Sequence, residues 1–301
     1  MATREQIEQT YNYLDGLWRN ALGDYPDCSG AMYDGDFSLS LEQAQDRKHE
    51  FALDQLGIGK QMWVLDVGCG WGPMLNAIRK RNAQGIGITL STKQFAYCKN
   101  AGFNVQLRDW KEASPSDFPD IAGILSIGSF EHFCSEVEYQ EDRQDEIYDQ
   151  FFRFCSNLLP ARGRMFLQTM TFGKSVPRLE ELTLRPETTE NNRMLALMHH
   201  FYPGSWLPRG IAHITEVAFP YFEVTYSSSG RLDYIQTIDE WNKRFNRITF
   251  KNLAAYARMI PYLFTDPDLM NKLRSGLSNA NQECFKRSLF DHFRIVLEKK
   301  S

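Results

Sequence analysis

Between residues 61 and 171, short and continuously apolar runs alternate with amphipathic ones, and few architectures accept that rhythm. QMWVLDV (61–67), QGIGITL (84–90), FNVQLRD (103–109), IAGILSIG (121–128) and GRMFLQTMT (163–171) have the length and side-chain character of strands. Between them, WGPMLNAIRKR (71–81), STKQFAYCKNA (91–101) and EIYDQFFRFCSNLL (146–159) space their apolar residues as helices do. A strand without a polar face must be covered on both sides, and strands joined through helices run parallel. Ser40 with Gln43 stands as a capping box before a helix over 41–56, which Gly57 and Gly59 stop. Ser91 with Gln94 stands in the same relation before the helix of 91–101.

Beyond residue 171 the rhythm breaks. Residues 172–207 read as a mixed insert with Pro177, Pro186 and Pro203, RGIAHITEVA as a helix, and 237–287 as mostly helical. YFEVTYSS and SLFDHFRIVLEK add two strand-like runs to the five above. At the other end, residues 3–22 read as an amphipathic helix with Ile7, Leu14, Leu17 and Trp18 on one face. The expected fold is α/β and Rossmann-like, a seven-stranded, mostly parallel sheet with helices on both faces and a mainly helical cap. The 301 residues are read as a single domain, its core about 41–171, 208–230 and 288–301, its cap about 1–40, 172–207 and 237–287.

Charge and cysteine usage narrow the class. A net charge of −4, from 34 Lys and Arg against 38 Asp and Glu, offers no basic field to nucleic acid. Six cysteines without a C-x-x-C pair argue against a zinc site or a disulfide framework and fit a reducing cytoplasm. MATREQIEQTYNYL has no signal-peptide core, and no apolar run nears the ~18 residues of a membrane span, so no integral membrane segment is expected. Aromatic residues at 13% suit a pocket for an apolar or cationic guest, although large cores are aromatic too.

The sharpest motif is Val64-Leu65-Asp66-Val67-Gly68-Cys69-Gly70-Trp71-Gly72, between the first core strand and the helix after it. Glycines at alternate positions let the backbone approach a ligand at a helix N-terminus, where open α/β sheets bind. A dinucleotide loop would need Gly at position 73, which is Pro73, and an acid about 20 residues on, where Gly87-Ile88-Thr89-Leu90-Ser91 has none. No G-K-[ST] follows, so a P-loop is excluded. D-x-G-x-G-x-G here resembles the loop with which class I methyltransferases hold S-adenosylmethionine (SAM). One branch of them replaces the acid by T-x-S-x-x-Q, and Thr89-Leu90-Ser91-Thr92-Lys93-Gln94 matches that run.

With these motifs the chain resembles the cyclopropane-fatty-acyl-phospholipid synthase and mycolic acid cyclopropane synthase family, whose superfamily includes plant alkaloid N-methyltransferases. The matching segments run in family order: SLEQAQ (40–45), VLDVGCGWG (64–72), GIGITLSTKQ (85–94), ILSIGSFEHF (124–133), LLPARGRMFLQTMT (158–171), FYPGSWLP (201–208) and LDYIQTIDEW (232–241). The resemblance implies SAM as cofactor, bound by Ser29, Asp66, Gly68, Gly70, Gly72, Thr89, Leu90, Gln94, Asp109 and Trp110. It implies Glu131 as the active-site carboxylate and Tyr234 as the active-site tyrosine, with Gly30, Gln168 and His132 in the substrate or ion pocket.

Two departures bear on the chemistry. The family's lipid-modifying members carry Y-S-C-A-Y-F, whose Cys helps hold bicarbonate; here Cys28-Ser29-Gly30-Ala31-Met32-Tyr33 puts Gly30 at that place. Their strand-five His is Gln168. Bicarbonate is therefore not expected to be held as it is there, and cyclopropanation becomes less favoured. An acidic insert, Glu136, Glu138, Glu141, Asp142, Asp145 and Glu146, reads either as a solvated helix start or as a Mg²⁺ site for a diphosphate substrate. No other metal site is read.

Three function classes follow. The first is SAM-dependent C-methylation of an alkene-bearing lipid, isoprenoid or polyketide-like molecule through a cation. The second is N- or O-methylation of a small metabolite. The third is a non-enzymatic SAM or nucleotide sensor, against which the intact loop with Glu131 and Tyr234 argues, since a sensor needs no catalytic carboxylate.

Overall fold

The computed structural model describes residues 19, 22, 26–247, 249–260, 274 and 278–301. The expected helix over 3–22, apart from residues 19 and 22, and part of the expected cap over 237–287 lie outside the described residues. Seven strands form one sheet: β1 Trp63–Val67, β2 Gln84–Thr89, β3 Asn104–Leu107, β4 Ile121–Ile127, β5 Arg164–Phe172, β6 Phe222–Ser229 and β7 Phe290–Lys299. Their order is β3-β2-β1-β4-β5-β7-β6. The first five run parallel, and β7 is antiparallel to both β5 and β6.

Two aromatic and aliphatic layers hold the sheet. The helix Gln144–Leu158 buries Ile147, Tyr148, Phe151 and Phe152 on one face. Phe130 stacks on Tyr148 at 4.3 Å, and Trp110 meets Phe133 and Phe151 at 5.2 Å each. Leu53 of helix Leu41–Gln55 and Leu75 and Ile78 of helix Pro73–Lys80 pack on the other face with Phe166 and Val296. Truncating one of the fully buried phenylalanines would cost ~3–5 kcal/mol.

Several boundaries differ from the sequence reading. The first crossover helix starts at Pro73, because Gly68, Gly70 and Gly72 all take positive φ and keep Trp71 in the loop. β3 ends at Leu107, and Asp109 caps a 3₁₀ turn over Trp110–Glu112 instead of closing a strand. The helix bearing Tyr234 runs Arg231–Phe245, starting six residues before the expected cap segment. It and the helix Glu190–Phe201 both pack on the helix Ala280–Lys286. Among the described residues no helix is long and apolar enough to cross a membrane.

Candidate active site

The parallel strands end at one rim, and there the glycine loop opens a cleft of about 1030 Å³. Gly68 (φ 86°) and Gly70 (φ 54°) make the turn that only glycine takes without strain. A Cβ on Gly68 would lie 2.4 Å from that of Ser129, whose hydroxyl donates to the Val67 carbonyl at 2.7 Å and so ties the end of β1 to the end of β4. A Cβ on Gly70 would meet no protein atom within 4 Å. Its open side leaves room for a ligand's own atoms to come up against the backbone.

Of the other expected cofactor residues, Ser29, Asp66, Thr89, Leu90, Gln94, Asp109 and Trp110 line the same cleft, whereas Gly72 does not and lies against Phe103 and Cys98. Thr89 donates its hydroxyl to Gln94 Oε1 at 2.8 Å. Ser91 caps its helix through the Gln94 amide at 3.3 Å, but the Gln94 side chain goes to Thr89, so the expected capping box is half formed. Around Ser40 and Gln43 the box is complete. Asp109 is raised from its ordinary pKa by burial. Trp110 belongs both to the aromatic core and to the cleft wall. Burial, with the Asp27 charge adding to it, pushes Asp66 up to about 7.

Ser29 is held from beneath by a network that sequence reasoning missed. Lys48 is wholly buried, and its ammonium donates at 2.6 Å to each of Asp27 Oδ2, Ser29 Oγ and Gln45 Oε1. Ser29 Oγ in turn donates to Asp27 Oδ1 at 2.6 Å, and His49 Nε2 lies 2.7 Å from Asp27 Oδ2. Burial alone would raise Asp27, but Lys48 and His49 outweigh it and hold the carboxyl well below its usual range. The Ser29 hydroxyl therefore faces inward, and the residue contributes to the cleft as part of a pinned turn. The lysine lies seven residues after Leu41 on a helix face given by Leu41, Ala44, Gln45 and Lys48. A lysine on an otherwise buried stripe was the available signal.

Beside the cleft, Glu131 stands on the 3₁₀ turn Phe130–His132 after β4. Its Oε1 accepts the Met170 backbone N–H at 2.9 Å, and its Oε2 is buried without a partner. Burial raises its pKa to about 7. His132 bonds Ser205 Oγ through Nδ1 at 2.8 Å, and burial lowers its pKa to about 4. Both residues face a second pocket of about 490 Å³, walled by Met170, Phe172, Leu182, Leu195, Met198 and Trp206 among others.

A small cavity joins the cleft to this apolar pocket. Cys28, Ser29, Gly30, Gly128, Glu131, His132, Gln168, Met170, Tyr202, Tyr234 and His292 all border it, so the expected catalytic and pocket residues converge there. Gln168 donates its amide to the Gly30 carbonyl at 2.9 Å and leaves Oε1 buried without a partner. Tyr202 and His292 were missed. For His292 the signal was the two-residue period at the start of β7, where Phe290, His292 and Arg294 are buried and Asp291 and Phe293 are less so.

The acidic insert is dispersed. Glu136 pairs with His199 at 3.0 Å, Glu138 with the Ser135 amide and hydroxyl at 2.8 and 2.7 Å, Glu141 with Arg143 at 2.6 Å, and Asp145 with Arg209 and His213 at 2.7 Å each. Among the described residues no group of three or more His, Cys, Asp or Glu is arranged to hold a metal ion.

A family model of mycolic acid cyclopropane synthetases matches residues 1–264. Cyclopropane mycolic acid synthase 1 of Mycobacterium tuberculosis is 31% identical over 291 residues, 92% of this chain and 94% of that protein. Methoxy mycolic acid synthase MmaA3 of the same organism is 30% identical over 296 residues, 92% and 93% of the two chains. The solved structure of the mycolic acid cyclopropane synthase CmaA1, complexed with SAH and CTAB, matches with a TM-score of 0.77 at 27% identity over 98% of both chains.

A sheet of this order with its glycine turn on that rim, in the company of these relatives, makes the chain a SAM-dependent methyltransferase, an enzyme of the transferase class. The cofactor fits on the chain's own features, since Gly70 leaves its flank open and the loop precedes a helix N-terminus. The chain belongs to the mycolic acid cyclopropane synthetase family.

Proposed function

We propose that the protein C-methylates an alkene on an apolar chain through a cationic intermediate. The observation that carries this is Glu131 Oε2, a buried carboxylate oxygen without a partner where the cofactor cleft meets the apolar pocket. SAM, when bound, supplies a methyl group on a positively charged sulfur. On this reading Gly68 and Gly70 take its methionine end with Gly72 shaping the turn behind them, Thr89, Leu90 and Gln94 take its ribose, and Asp109 with Trp110 its adenine, while Asp66 and Ser29 complete the wall. The chain then works as one domain.

The apolar pocket orients the alkene and excludes water, so the new cation meets protein groups first. Glu131 supplies the opposing charge, and the faces of Tyr234 and Tyr202 add quadrupole attraction. A carboxylate so buried is costly alone, and a cation beside it offsets that cost. The lipid-like chain of the CTAB bound to CmaA1 supports a substrate of that shape. Cyclopropanation would share the first step and differ in which proton leaves.

One observation favours the runner-up, N- or O-methylation of a small metabolite. Gln168 Oε1 and Glu131 Oε2 are two unpartnered acceptors on one cavity, which N–H or O–H groups of a substrate would satisfy. Methyl-labelled SAM offered with monounsaturated chains and with secondary amines separates the two. Label in a carbon–carbon-linked methyl supports the first reading, and label only on nitrogen or oxygen overturns it.

A further inference from the structure

His292 is fixed between two glycines. A Cβ on Gly30 would lie 3.0 Å from His292 Cε1 and 3.2 Å from Nε2; a Cβ on Gly230 would lie 2.6 Å from Nδ1. The ring also packs on Tyr234, with centroids 4.8 Å apart. The register between β5 and β7 places His292 directly across from Met170, the residue whose amide holds Glu131. A glycine at each edge thus admits an imidazole to the junction cavity, with Nε2 on the Gly30 side and Nδ1 turned away towards Gly230.

Resting on the cationic reading above, we propose that His292 is a catalytic residue, the proton acceptor that resolves the cation, with its Nε2 as the accepting atom. Methyl transfer joins the methyl carbon to one alkene carbon through the π electron pair, while the pair of the broken S–CH3 bond stays on sulfur. The second alkene carbon is left positive. A neighbouring C–H bond then breaks. Its electron pair forms a new C=C bond, or closes a three-membered ring if the hydrogen leaves the transferred methyl, and the proton bonds to Nε2. The imidazolium gives that proton to solvent as product leaves.

Glu131 has one oxygen committed to the Met170 amide, and the neutral imidazole of His292 is a second acceptor on the same cavity. When it takes the proton, the imidazolium formed faces the Glu131 charge that the cation leaves behind. Burial first, then the cations of Arg294 and Lys48, keep His292 neutral at working pH. Arg294 is itself paired with Asp233 at 2.9 Å, and Glu131 and Tyr234 border the cavity from their own elements. A proton next to a carbocation is so acidic that a weak base is sufficient.

The test compares wild type, His292→Ala and His292→Asn, using methyl-tritiated SAM with oleate, dioleoylphosphatidylglycerol vesicles or farnesol. The expected loss in kcat is about 10²-fold in both variants. The KM for SAM should stay within about twofold, because uniform binding is untouched. Imidazole in the buffer should restore part of the rate in His292→Ala. If wild type labels none of the alkenes, the reading of the site falls and the proposal falls with it. If wild type labels them and His292→Ala matches its rate, only the proposal falls. Loss of SAM binding in both variants, or a reduced rate that imidazole leaves unchanged, assigns His292 to packing and also overturns it.

Discussion

Glu131 reaches from the turn after β4 to the backbone of β5, where its Oε1 accepts the Met170 N–H at 2.9 Å and leaves Oε2 to the cavity. One oxygen positions the group and the other is available for chemistry. Glu131→Gln keeps the volume and an acceptor for Met170 but removes the charge. Turnover is expected to fall by roughly 10²–10³-fold, the span for losing a charge that stabilises the transition state, with SAM affinity nearly unchanged. Tyr234→Phe, which removes only a hydroxyl, should cost less. Steady-state kinetics and calorimetry on both variants check this, and normal turnover in Glu131→Gln would mean the charge is elsewhere.

The same carboxyl fixes a pH dependence. Its folded pKa of about 7 lies above the ordinary 4.5, so the folded state binds the extra proton between those values. Its contribution to stability is full below pH 4.5 and is lost as pH rises through about 7. Activity that needs the anion runs the other way and rises through about pH 7. Thermal melting and kcat across that range should move oppositely; Glu131→Gln should remove the rise in kcat but only reduce the slope in melting, because Asp66 is also raised to about 7.

Gly70→Val should abolish SAM binding while the fold survives. Its side chain would enter the open flank of the cleft, and the φ of 54° adds only ~1–2 kcal/mol of strain. Gly68→Ala is expected to lower the melting temperature as well, because its Cβ would overlap Ser129. Calorimetry with SAM beside melting curves tells the two apart.

Lys48→Met should destabilise the protein by ~3–5 kcal/mol, since Asp27 would be left buried without the ammonium that pairs with it. Asp27→Asn in the same chain should recover part of it. Asp27 is depressed below 3.8, so its contribution is present above that pH and fades as pH falls through the lower folded value. Denaturant titration at neutral and acidic pH measures both effects.

Turnover should not depend on bicarbonate. Gln168 spends its amide on the Gly30 carbonyl, and His292 fills the space beside Gly30 where a longer side chain would project. Assays in buffer stripped of bicarbonate test this, and a collapse of activity there would contradict it.

The cofactor half of the site was legible because it is local. Gly68, Gly70 and Gly72 demand one backbone course wherever they occur after a strand, and Thr89 finds Gln94 five residues on. Glu131, Gln168 and Tyr234 came from the pattern of a family and do meet at one cavity. For His292 the strand pattern gave a buried position but not its partners, because Gly30 and Met170 are remote in sequence and only the fold brings them to it. Lys48 was hidden for the opposite reason, since a lysine on an amphipathic helix ordinarily faces water. Asp109 moved from strand to turn because its side chain caps the Lys111 amide at 3.0 Å.

The position of β7 has a consequence for biosynthesis. This strand is made after β6, yet it lies between β5 and β6, so β6 has no neighbour on the sheet until residues 290–299 have emerged from the ribosome. The parallel strands that carry the glycine loop are complete by residue 172. A nascent chain can therefore assemble the nucleotide-facing half early, whereas the chamber beside Glu131 gains its β7 wall only with the last strand. Chains interrupted between those points would carry the glycine loop but lack the β7 wall of the chamber beside Glu131, with β5 left as an unpaired edge.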